Sequence, residues 1–111
     1  MNSKVEALRQ LYRGDGIFDD EQFERVAKVF GVDDLDRFNK VLIEAASMIP
    51  EYGPRTCFES ALNLDCNDGN LEVRRHEVAT RINRSFRTVI RYEIAATEQA
   101  AARIPRLLKW M

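Results

Sequence analysis

Between Leu71 and Ile104 the chain contains neither glycine nor proline. An apolar series there runs through Val78, Ala79, Ile82, Phe86, Val89, Ile90 and Ala96 to Ala100 and Ile104. Separations of three and four residues stack such side chains on one face of an α-helix, whereas a strand would need alternation. The stretch therefore reads as one long amphipathic helix from about Leu71 to Arg103, or as two helices bent near Asn83. Arg, Ala and Glu favour the single helix by propensity. The triplet Asn83-Arg84-Ser85 favours the bend, because Asn tolerates left-handed backbone and Ser caps a helix start.

The rest of the chain repeats the helical period between clear breaks. Val5, Leu8, Leu11 and Tyr12 form a first stripe with Ser3 as its expected cap, and the segment RGDGIFDD interrupts it. Asp19 or Asp20 can open a second helix carrying Phe23, Val26, Ala27 and Phe30, which Gly31 ends. Asp33 or Asp34 opens a third, with Leu35, Phe38, Val41, Leu42, Ala45, Ala46 and Ile49 on one face and Pro50 as its stop. EYGP reads as a turn, Arg55 to Leu62 as a short helix, and DCNDGN as a polar loop. Pro105 is expected to end the last helix, leaving RLLKWM as a terminal apolar group. No run of alternating Val, Ile and Thr marks a strand. The expectation is an all-α fold, a compact bundle of about five or six helices in a single domain spanning residues 1–111.

Charge is distributed unevenly. Residues 1–70 carry 8 Lys/Arg and 14 Asp/Glu, a balance of −6, and residues 71–111 carry 9 and 4, a balance of +5, which together give the net −1. All but one of the nine basic residues in the second half are Arg, whose planar fork suits phosphates and carboxylates. The split implies that the halves face each other, or that the second presents a basic surface to nucleic acid or an acidic partner.

Several chemistries find no support in the residues. Cys57 and Cys66 lie nine apart without a CxxC, and with His76 they make at most three soft ligands, too few for structural zinc. They read as ordinary thiols rather than a bridge. In EF-hand register the glycines of RGDGIFDDEQF and LDCNDGNLEVRR leave apolar or basic residues at ligand positions, so neither is a calcium loop. No phosphate loop, HExxH or GxSxG occurs, and His76 between Arg75 and Glu77 reads as a surface residue. No enzyme, cofactor or metal is expected. With no eighteen-residue apolar run and no secretory core at the amino terminus, a cytoplasmic protein without a membrane span is expected.

One stretch carries a specific resemblance. From about His76 to Glu93 the sequence resembles the helix-turn-helix of small bacterial and phage DNA-binding regulators. Val78 and Ala79 match the apolar pair of the first helix, and Ile82 the residue before the turn. Asn83 stands where Gly is usual, Ser85 caps the second helix, and Val89 and Tyr92 match its buried positions. Arg84 departs from the pattern, which usually has an apolar residue there. The resemblance implies a transcriptional regulator that occupies duplex DNA without chemistry of its own. It places Arg87, Thr88 and Arg91 at the groove and Arg74, Arg75, Arg81 and Arg84 at the phosphates, and counts Ser85, as the cap of the reading helix, among the DNA-binding residues.

A second reading makes the same region a helical protein-binding module, an antiactivator, adaptor or inhibitor that grips another regulatory protein through the long helix and the apolar tail. A homodimer is expected, and Phe86, Ile90, Leu107, Leu108 and Trp110 are the expected partner or dimer interface. A bend at Asn83–Ser85 favours the DNA reader, and an unbroken helix favours the protein-binding module.

Overall fold

A computed structural model of the chain describes residues 3–13, 20–64 and 69–111. The chain is all-α, with helices α1 (Ser3–Arg13), α2 (Asp20–Val29), α3 (Leu35–Ser47), α4 (Tyr52–Ala61), α5 (Leu71–Ile82) and α6 (Phe86–Trp110). Most of RGDGIFDD and DCNDGN, with Cys66, lies outside the described residues.

Local chemistry explains most helix ends. The Asp34 carboxylate accepts from the Arg37 N–H at 3.1 Å and caps α3, and Asn70 accepts from the Val73 N–H at 3.0 Å to cap α5. Three helices end in the same device, a left-handed residue followed by a backward hydrogen bond that satisfies otherwise orphaned carbonyls. At the end of α2, Gly31 has φ 74° and the Val32 N–H reaches the Ala27 carbonyl. Asn63 ends α4 with φ 59°, and Leu64 bonds back to Glu59; Asn83 ends α5 with φ 56°, and Arg84 bonds back to Ala79.

Two expectations about proline are corrected. EYGP is not a turn before the fourth helix: α4 begins at Tyr52, and Pro54 sits in its first turn. The first N–H groups of a helix have no internal acceptor, so a residue lacking N–H costs nothing there. Nor does Pro105 end α6, which continues to Trp110. The last turn is held from outside: Arg37 of α3 donates to the carbonyls of Leu108 and Met111, and Leu107 and Leu108 pack against the core. Those tertiary contacts offset the hydrogen bond that proline removes.

The interior has two parts. The larger joins α1, α2, α3 and α4 to the C-terminal portion of α6, around Leu8, Leu11, Phe38, Leu42, Phe58 and Ile104. Ala96, Ala100 and Ala101 form the buried face of α6 there, small enough for close helix approach. The smaller part is built from Cys57 of α4, Val78 of α5 and Val89 of α6, with Ala79, Ile82 and Tyr92 packed against it. Helix α6 thus runs through both, and its first turns belong to a separate α4–α5–α6 unit.

Candidate nucleic-acid interface

Residues 71–103 form two helices, not one. The break falls at Asn83–Arg84–Ser85, and Asn83 adopts left-handed backbone (φ 56°, ψ 51°). Asn and Gly are the residues that enter this region at least cost. Ser85 then turns the chain into α6: its hydroxyl accepts from the Thr88 N–H at 3.2 Å and lies 3.0 Å from the Thr88 hydroxyl. The side chains of Ser85 and Thr88 are thereby directed at each other, so capping is the observed role of Ser85.

The apolar residues on either side of the break converge. Val78, Ala79 and Ile82 from α5 meet Val89 and Tyr92 from α6 in the smaller core. A close approach underpins this packing. A Cβ on Gly53 in the first turn of α4 would lie 2.8 Å from the Tyr92 ring, so only glycine lets α4 seat against α6 at that point. Across the outer side of the junction, His76 and Phe86 stack with ring centroids 4.5 Å apart. His76 is exposed, as the sequence implied, and Phe86, Thr88 and Ile90 are half-buried.

The arginines divide into two groups with different environments. Arg81, Arg84, Arg87 and Arg91 are exposed around the turn and along the first turns of α6. Arg84 borders a shallow depression of about 170 Å³ between this turn and the start of α4, beside Glu51 and Tyr92. Arg74, by contrast, is 1% exposed. Its guanidinium donates to the carbonyls of Ser60 at 3.0 Å, Ala61 at 3.2 Å, Gly69 at 2.9 Å and Tyr12 at 3.3 Å. Ser60 and Ala61 end α4, and Tyr12 lies in the last turn of α1, so one cation serves two carbonyl-rich helix termini. The expected contact of Arg74 with a phosphate backbone is therefore corrected: it is an internal clamp.

Arg75 is likewise committed. It grips Glu93 of α6 with three N–H···O contacts of 2.7–3.1 Å, the bidentate geometry that a guanidinium fork favours. Burial pushes the Glu93 carboxyl pKa up, and Arg75, then Arg74 and Arg9, pull it back in part. Glu93 also ties into the larger core: its carbonyl accepts from the Thr97 hydroxyl, which in turn hydrogen-bonds the Tyr12 hydroxyl. The basic face expected of eight residues thus contracts to the four exposed arginines and the cap residues between them.

Neither internal role of the arginines was visible from charge alone, although Glu93 offered a signal. An acid four residues after Val89 and four before Thr97 stands on the buried face of α6, where it needs a cationic partner. Of the expected interface residues, Leu107 and Leu108 are half-buried against the core, whereas Trp110 is 88% exposed. Cys57 is a buried free thiol whose pKa burial pushes up to about 12. Among the described residues no group of His, Cys, Asp and Glu could hold a metal ion, and no helix is long and apolar enough to cross a membrane.

The described residues are all helical, and α5 and α6 meet at a turn around which Arg81, Arg84, Arg87 and Arg91 are exposed. Comparison of the chain with family models, curated proteins and solved structures returns no match.

Proposed function

We propose that this chain is a small DNA-binding transcriptional regulator that reads duplex DNA with α6 after the turn at Asn83–Ser85. The observation that carries the reading is the coincidence of three features at one corner. The turn is left-handed at Asn83; Val78, Ala79, Ile82, Val89 and Tyr92 all pack beneath it; and Arg81, Arg84, Arg87 and Arg91 are exposed around it. An unbroken helix through Asn83 would have favoured the protein-binding reading instead. That reading also needs the apolar tail, of which Leu107 and Leu108 are occupied internally.

Arg87 and Arg91 lie four residues apart on one face of α6, close to its N-terminus, where a helix presents side chains to base edges. Arg81 and Arg84 flank the turn and neutralise phosphates. The positive end of the α6 dipole adds to the attraction. Affinity for mixed duplex DNA is measured as salt rises. With two to four phosphates neutralised per chain, the slope of log affinity against log salt is expected at about −2 to −4. Absence of binding even at low salt refutes the proposal, and the same chain then capturing a stoichiometric protein partner from its native host supports the alternative.

A further inference from the structure

The outer face of α6 beyond the basic corner carries a self-complementary pattern. Ile94, Glu98, Ala102, Arg106 and Trp110 follow one another at intervals of four, and all five are exposed. Such a row forms a continuous ridge on a helix surface. It is symmetric about Ala102: Glu98 precedes it by four residues as Arg106 follows it by four, and Ile94 precedes it by eight as Trp110 follows it by eight. Each charge is matched by its opposite, and each large apolar side chain by another.

From this pattern we propose that the chain forms a two-fold homodimer in which α6 crosses α6 of a second copy, antiparallel, at Ala102. Ridges of this spacing align when helices cross at about 50°, the commonest class of helix packing, and small residues at the crossing allow close approach. A two-fold axis at Ala102 brings Glu98 of each copy to Arg106 of the other. It also sets Ile94 beside Trp110, which is 88% exposed and would otherwise stand in water. Within one copy Glu98 and Arg106 are eight residues, roughly 12 Å, apart along the axis, too far to pair. Ala95 and Lys109 obey the same symmetry, so the lysine stem covers the alanine. The second copy is favoured over an unrelated partner because the face is complementary to itself, in charge as well as shape. This inference does not depend on DNA binding. It also replaces the earlier interface: Trp110 is retained, and Leu107 and Leu108 are not used.

The test is the association of the full chain, followed by sedimentation or light scattering at micromolar concentrations. Glu98→Arg and Arg106→Glu each weaken dimerisation by roughly tenfold or more, and the double swap restores it because the pairs re-form with reversed sign. Circular dichroism checks that each exposed substitution leaves the fold intact. In a Cys66→Ser background, Ala102→Cys forms a symmetric disulfide on oxidation, whereas Ala95→Cys does not cross-link to itself. A monomeric wild type, a double swap that fails to rescue, or a dimer that does not cross-link through position 102 overturns the proposal.

Discussion

Replacing Arg74 by Met removes the guanidinium while keeping most of the aliphatic stem, so the effect isolates the carbonyl clamp. Four carbonyls lose a charged donor, those of Tyr12, Ser60, Ala61 and Gly69. Each bond to a charged group is worth about 1.5–3 kcal/mol when buried, but the variant also escapes the cost of desolvating a cation. Each buried carbonyl left without its donor costs about 1–3 kcal/mol, and the relieved desolvation offsets part of the sum, for a net loss of about 3–5 kcal/mol. A domain of this size has about 5–15 kcal/mol in total. The expected outcome is a chain close to its stability limit, with Tm lowered by about 15–30 °C. Urea unfolding followed by helical circular dichroism measures it: the midpoint falls sharply while the slope stays constant. Lys in place of Arg recovers only part of the loss, because one ammonium cannot span acceptors on three segments. A loss below about 1 kcal/mol, in the range of ordinary surface substitutions, would refute the clamp and return Arg74 to the solvent-facing set.

The DNA reading predicts that Arg87→Ala with Arg91→Ala removes sequence preference, while stability shifts by no more than about 0.5 kcal/mol because both side chains are exposed. Filter or anisotropy binding to a selected site against mixed DNA reads the first effect, and a double variant that keeps its preference refutes the assignment. At the turn, Asn83→Ala costs about 1–2 kcal/mol through left-handed strain, and Asn83→Gly costs none of it. Equal stabilities of the two variants in denaturant would contradict that geometry. Gly53→Ala forces its Cβ onto the Tyr92 ring and destabilises by about 1–3 kcal/mol, and Tyr92→Leu in the same chain relieves part of the loss. For Cys57, the thiol stays protonated in the folded chain until about pH 12 but ionises from about 9.0 when unfolded. Its contribution to stability is therefore complete below pH 9 and falls by about 1.4 kcal/mol per unit above it. In a Cys66→Ser background it should also resist thiol reagents at neutral pH until the chain unfolds. Rapid labelling of the native protein would show that the thiol is not enclosed.

The all-α fold, the buried faces of the helices and the site of the break at Asn83 are legible in the residues. Helical period, side-chain caps and left-handed ends are set within about four residues, so a local reading captures them. The caps at Asp34 and Ser85 and the stops at Gly31 and Asn83 belong to this class. The pairing of Val78, Ala79 and Ile82 with Val89 and Tyr92 follows from them once the chain bends. Where α4 begins was misjudged because proline has opposite meanings in a turn and in the first turn of a helix, and the surroundings decide between them.

What only the tertiary structure decided is the fate of the charges and of the last helix. Arg74 and Arg84 are the same residue in similarly basic stretches, yet one is buried and the other exposed. The difference is made by Tyr12, whose carbonyl meets Arg74 from 62 residues away, and by the end of α4, none of which leaves a mark near position 74. Glu93 likewise selects Arg75 across 18 residues, and Arg37 holds the end of α6 from more than 70 residues away, past a proline that locally argues for a stop. A guanidinium's five N–H donors can be satisfied by water, by a carboxylate or by a cluster of carbonyls. Its environment is therefore settled by which helix ends the fold brings within reach.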